Sequence, residues 1–174
     1  MRKLFIILVL GLFLQTNAFA AKVQRPKLVI GLVVDQMRWD YLYYYYNDYS
    51  SNGLRRLLDG GYSFANTQIS YAPAVTAVGH ASIFTGTVPA IHGIAGNDFW
   101  QNDQAVYCCE DDNVQGVGSD EKGAKMSPHR MLSTTIGDQL RISTDFRSRV
   151  FGVSLKDRAA ILSAGHSANA AFWW

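Results

Sequence analysis

The sequence predicts an α/β fold in which inner, mostly parallel strands alternate with helices, and three observations point there. Lys27-Leu28-Val29-Ile30-Gly31-Leu32-Val33-Val34-Asp35 is an almost unbroken aliphatic and β-branched run ending on an acid, the character of a strand buried on both faces. Arg149 to Leu155 has the same character. Helix signals stand between and after these runs, at Gly53–Asp59, Val75–Thr85, Ser127–Leu140 and Asp157–Ala164. A chain of 174 residues, 48% hydrophobic and 17% charged, has apolar content for one core and excludes a disordered or collagen-like polymer.

The first twenty residues begin basic, Met1 to Lys3, continue apolar from Leu4 to Leu14 and close on Ala18-Phe19-Ala20. That order is a secretory signal peptide, residues 1–20. Its apolar stretch is shorter than the roughly 20 residues that span a bilayer, and no later segment qualifies, so a soluble periplasmic or secreted protein is expected. Removal of Arg2 and Lys3 leaves 14 basic against 14 acidic residues. Such neutrality offers no electrostatic attraction to nucleic acid or to an anionic membrane.

Beyond Asp35, the tyrosine-rich stretch Gln36–Asn52, with Tyr43 to Tyr46 consecutive, reads as a partly buried face. Gly60-Gly61 closes the helix that starts at Gly53. The mixed pattern from Tyr62 to Tyr71 allows a second short strand, small residues make Val75–Thr85 a close-packed helix, and Pro89 and Gly93 mark the turns after it. Gln101 to Lys125 is polar and weakly periodic, a surface excursion whose Glu110, Asp111 and Asp112 fit a solvated loop better than a cation site. Ser127 as N-cap and Pro128 at the first helical position open the clearest helix, with Met131, Leu132, Thr135, Ile136, Gln139 and Leu140 along one side. Cys108 and Cys109 are adjacent, so a bond between them closes only a strained ring, and they read as small hydrophobes or as partners for other cysteines. The bulky apolar run Ala170 to Trp174 suggests the front part of a longer protein.

Four places combine reactive residues with a suitable position. Asp35 ends an inner strand, where a carboxylate is either a cation ligand or a turn former, the two readings evenly matched. Thr76 opens a helix, where unpaired N–H groups favour an anion within reach of its hydroxyl, although an N-cap threonine is the commoner case. His80, one turn later, reads as a packing residue. Gly93 to Asp98 is either a plain turn or a place where backbone approaches a ligand, with the Asn97 amide as a donor. Lys156 and Arg158, two apart after a strand, suit an anionic oxygen clamp or, with Asp157 as internal partner, a solvated loop.

The order of these motifs is more specific than any one of them. Val33-Val34-Asp35-Gln36-Met37-Arg38, then Thr76-Ala77-Val78-Gly79-His80-Ala81-Ser82, then Pro89-Ala90-Ile91-His92-Gly93-Ile94 into Gly96-Asn97-Asp98, then Val153-Ser154-Leu155-Lys156-Asp157-Arg158 together resemble the alkaline phosphatase superfamily. The match is nearest to bacterial alkaline phosphatases with a threonine nucleophile, relatives of the nucleotide pyrophosphatase/phosphodiesterases. The resemblance implies a three-layer fold with a mostly parallel central sheet, residues 21–174 being the N-terminal part of its catalytic domain. It implies two zinc ions, with Asp35 and Thr76 among the ligands, and Thr76 as the nucleophile that becomes phosphothreonine. Asn97, Lys156 and Arg158 would bind phosphoryl oxygens, and two extra cations favour small phosphate monoesters over diesters.

The resemblance also makes His92 structural, while His129 and His166 read as surface or loop residues. The remaining zinc ligands of the family, an Asp-x-x-x-His segment, an Asp-His pair and a further histidine, are absent from these 174 residues. The expectation is therefore a zinc phosphatase as the whole protein and an inactive portion here. A phosphodiesterase or nucleotide pyrophosphatase, and a secreted binding domain of the same fold without metal, are the alternatives.

Overall fold

The computed structural model describes residues 26–119 and 122–174, which fall into two compact units divided after Met37. The expected signal peptide, residues 1–20, lies outside the described residues. In the first unit the run at 27–35 is not a strand, and Leu28, Val29, Ile30, Leu32 and Val34 are all exposed. A central parallel strand closes its hydrogen bonds only with neighbours on both edges. Among the described residues no strand pairs with this run. Asp35 consequently stands on an exposed turn, followed by Gln36 in the left-handed region at φ 61, rather than at the end of a buried strand.

The second unit carries helices α1 (Tyr41–Tyr44), α2 (Leu54–Gly60), α3 (Thr76–Thr85) and α4 (Pro89–His92), then strands β1 (Asp98–Gln101) and β2 (Gln104–Tyr107). Helix α5 (Ile136–Ser143), strand β3 (Phe151–Val153), helix α6 (Asp157–Ala164) and strand β4 (Ala170–Phe172) follow. Strands β1 and β2 form an antiparallel hairpin whose loop residues Asn102 and Asp103 take φ 52 and 62, the paired positive φ of a tight hairpin turn. Strands β3 and β4 are parallel, with α6 as their crossover. The α/β class therefore holds, in two small sheets of opposite pairing rather than one parallel sheet among the described residues. Tyr62–Tyr71 forms no strand, and Tyr62, Phe64 and Ile69 are exposed.

The core lies between α3 and α6. Ala77, Val78 and Ala81 of α3 and Ala160 and Leu162 of α6 are almost wholly buried, because small side chains let the two helices approach closely. Ile94, Met131, Cys108 and Cys109 complete the cluster. The cysteines are free, their sulfurs 3.9 Å apart, and act as small apolar groups. The hydrogen bond they share and burial push the Cys109 thiol far up. Residues 101–125 are thus more than a surface excursion: they supply β2, both cysteines and a buried Asp111 that accepts from Ser127 Oγ at 2.5 Å and Asn113 N at 3.0 Å. The tyrosines are also less buried than expected. Tyr41, Tyr43, Tyr44 and Tyr45 are exposed, and the Tyr41–Tyr45 and Tyr44–Tyr45 rings meet edge to face.

The helix expected from Ser127 begins only at Ile136. Ser127 Oγ donates to Asp111 and still accepts from His129 N at 3.2 Å, but Leu132 N–H is drawn to the His92 carbonyl at 2.9 Å rather than back along its own chain, so the intervening segment stays irregular. Thr135 is the actual N-cap, in a reciprocal capping box with Asp138. The Asp138 carboxylate, 1% exposed, accepts from Thr135 N (2.8 Å) and Oγ1 (3.1 Å), His166 N (3.2 Å), and Ser167 N (2.6 Å) and Oγ (2.8 Å). Burial alone would raise its pKa, but those donors outweigh it and hold the carboxyl below the usual carboxylate value. Gly165, at φ 88, leaves room for this cluster, since a Cβ there would collide with Thr135 Oγ1 and Asp138 Oδ2.

Candidate functional site

Thr76 is the first residue of α3, entered from an extended Val75 at φ −91, ψ 167. The N–H groups of a first helical turn lack intrahelical partners, and they give that end partial positive charge. One of them, Ala77 N–H, donates to Asn97 Oδ1 at 3.0 Å. Asn97 thereby caps α3 from a distant loop, with its Nδ2 donors beside the same helix end. His80 Nδ1 donates to the Thr76 carbonyl at 2.8 Å, so this histidine is buried as expected yet steadies the backbone of Thr76.

His92 fixes the approach to Asn97. Its Nδ1 accepts from Ile94 N at 3.2 Å, which leaves Nε2–H to donate to Ser82 Oγ at 2.9 Å. Burial lowers its pKa and favours that neutral form. Helix α4 and the Gly93 turn, at φ 79, are in this way bolted to the middle of α3.

The Asn97 carbonyl accepts from Cys108 N at 2.9 Å, immediately before the hairpin pairs Asp98 with Tyr107. Tyr107 Oη donates to Asp157 Oδ1 at 2.7 Å and accepts from Arg158 Nη1 at 2.9 Å. Arg158 Cζ lies 5.9 Å from the Tyr107 ring centroid, and the Arg158–Asp157 ion pair is longer, at 3.9 Å. Continuous contacts therefore run from the N-terminus of α3, through Asn97 and the hairpin, to the N-terminus of α6. Arg158 and Asp157 are mostly buried, whereas Lys156, at the N-cap of α6, is exposed. Burial pulls the Arg158 pKa down, but Tyr107 and Asp157 more than restore it, so the guanidinium stays charged.

Thr76, Asn97 and Arg158 are thus tied into one network, with Lys156 adjacent along the chain. Asp35 belongs to the other unit. Among the described residues no three His, Cys, Asp or Glu side chains converge on a point where a metal ion would sit. The donor set does not by itself fit a two-zinc centre. His129 and His166 are exposed, as expected, although His129 Nδ1 lies 3.4 Å from Asp111 Oδ2. Sequence reasoning missed Tyr107, for which no local signal exists.

The family model described as type I phosphodiesterase / nucleotide pyrophosphatase matches residues 29–174. The chain belongs to that family. Within the alkaline phosphatase superfamily it falls with the threonine-nucleophile members. It is 57% identical over 154 residues to a protein named calcium-transporting ATPase from Myroides odoratus, covering 87% of this chain and 28% of that one. It is 56% identical over 163 residues to alkaline phosphatase PafA from Elizabethkingia meningoseptica, covering 92% of this chain and 29% of the relative. The crystal structure of wild-type PafA superposes with a TM-score of 0.84 at 57% identity, over 87% of this chain and 30% of that one. A PafA variant with a threonine changed to serine and an asparagine, a lysine and an arginine changed to alanine superposes at 0.85, with 54% identity over 87% of this chain and 30% of that one. The chain spans less than a third of the length of these relatives.

Proposed function

We propose that the whole protein is a periplasmic or secreted alkaline phosphatase that hydrolyses small phosphate monoesters through a phosphothreonine intermediate. The carrying observation is the hydrogen-bonded path that links the helix end bearing Thr76 to Asn97 and Arg158. Thr76 Oγ attacks phosphorus, the ester oxygen leaves, and water then cleaves the Thr76–phosphate bond. Asn97 Nδ2, the N–H groups of the α3 terminus, Lys156 and Arg158 stabilise the phosphoryl oxygens, the two cations favouring the extra negative charge of a monoester. The substituted residues of the PafA variant support the assignment. Its threonine and asparagine are twenty-one positions apart and its lysine and arginine two, as are Thr76 and Asn97, and Lys156 and Arg158.

The resemblance implies two zinc ions, which would supply positive charge at the nucleophile. Asp35 and Thr76 are this chain's proposed contribution, the other ligands and the remainder of a three-layer, mostly parallel sheet coming from the rest of the whole protein. The 174 residues alone are accordingly expected to be inactive. The test is hydrolysis of an aryl phosphate by the whole protein and its Thr76→Ala variant. Loss of about 10⁴-fold or more is expected, and an unchanged rate would refute Thr76 as nucleophile. A phosphodiesterase is the second reading, favoured by the family description; a faster rate on a methyl aryl diester than on the aryl monoester would select it.

A further inference from the structure

We propose that Tyr107 and Asp157 form a directed hydrogen-bond relay that positions the Arg158 guanidinium for phosphate, so that Tyr107 is a specificity-determining residue without touching substrate. This rests on the reading of Arg158 as a phosphoryl ligand. A phenol has one hydrogen to donate, and Tyr107 commits it to Asp157 Oδ1 at 2.7 Å. Its lone pairs are thereby turned to Arg158 Nη1, 2.9 Å away. Asp157 lies 3.9 Å from Arg158 itself, too far for a direct hydrogen bond, so the hydrogen-bonded connection between them runs through the phenol beside a longer ion pair.

The anchor is rigid. Tyr107 pairs with Asp98 across the hairpin, next to Asn97, and Asp157 is the first residue of α6. The relay therefore couples the position of Arg158 to that of Asn97, the other proposed phosphoryl ligand. It also spares hydrogen-bonding capacity. Asp157 stays an ion-pair partner of Arg158 at 3.9 Å, while the phenol takes the hydrogen bond from Nη1 and leaves the other guanidinium N–H groups uncommitted to the carboxylate. Arg158 Nε is buried without a hydrogen-bond partner among the described residues, as is Arg141 Nε, so the bond from Nη1 to Tyr107 is the side-chain hydrogen bond that holds this guanidinium. Burial pushes the Tyr107 hydroxyl above its ordinary pKa, consistent with a neutral phenol throughout the working range.

The experiment is a double-mutant cycle in the whole protein, reading kcat/KM for an aryl phosphate and for a methyl aryl phosphate diester. Tyr107→Phe should lower monoester kcat/KM about tenfold and the diester value less, because the monoester depends more on Arg158. In an Arg158→Ala background the same substitution should change the monoester value by less than about twofold. Asp157→Asn, which keeps an acceptor for the phenol, should retain more monoester activity than Asp157→Ala. Equal losses from Tyr107→Phe in both backgrounds would overturn the relay while leaving the phosphate pocket intact. A monoester rate unaffected by Arg158→Ala would remove the pocket reading and the relay with it.

Discussion

The two ends of helix α6 carry polar clusters of opposite completeness. Beyond its C-terminus, Asp138 is sealed from water and accepts five hydrogen bonds from Thr135, His166 and Ser167. At its N-terminus, Arg158 is held by Tyr107 but keeps an unpaired buried Nε, with Lys156 exposed beside it. The first arrangement leaves a ligand nothing to add; the second leaves the Lys156 side chain exposed. A buried charge whose partners are complete fixes structure, whereas one with spare capacity is organised for something that comes and goes. The Asp138 cluster also sits at the N-terminus of α5, where the helix dipole favours an anion, so no cation is needed to compensate it.

Substitutions at the two ends should separate stability from rate. Asp138→Asn should have the largest effect, about 3 kcal/mol of unfolding free energy, because an amide NH₂ would replace one acceptor oxygen among converging donors. A urea melt of the whole protein reads this, while the rate per folded molecule should be unchanged; a proportionate loss of rate would place Asp138 in the working site. Asn97→Ala should do the reverse, costing about 10²-fold in monoester kcat/KM with no more than about 1 kcal/mol of stability from the lost cap. Gly165→Ala should destabilise by about 2 kcal/mol, since φ 88 and the Thr135–Asp138 contact both exclude a Cβ. Normal melting of that variant would mean that the cluster shifts freely.

The smallest effect concerns pH. Asp138 and Asp111 both have carboxyls below the usual value, Asp138 because its donors outweigh burial and Asp111 chiefly through the Ser127 hydroxyl and Asn113 N–H. A carboxyl depressed in the folded state contributes stability that is fully present above its unfolded pKa, near 4, and is lost as pH falls through the lower folded value. Melting midpoints should therefore be flat above about pH 5 and decline steeply below about pH 4. The Asp138→Asn variant should decline less steeply across that acid window; an identical slope would show that Asp138 contributes nothing to it.

Much of the helical framework was legible in the sequence, because a helix closes its hydrogen bonds within the chain that forms it. The spans expected at Val75–Thr85 and Asp157–Ala164 follow from local residue types and agree with α3 and α6 in the structure. Where two local signals competed, sequence reading chose wrongly: Ser127-Pro128 resembles a helix start, yet the Thr135–Asp138 box is reinforced by the loop after α6 and prevails. The run at 27–35 failed for a different reason, since the hydrogen bonds of a strand belong to its neighbours.

For the candidate site, the sequence by itself determined the chemical inventory, namely Thr76 at a helix start, Asn97 after glycines and the Lys156–Arg158 pair, because each motif is short and local. Only the tertiary structure decided which of these share a network, that Asn97 caps the helix of Thr76, and that Tyr107 holds Arg158 from 51 positions away. Those contacts arise from the packing of α3, the hairpin and α6, and a contact made by packing leaves no periodic trace in the chain that makes it.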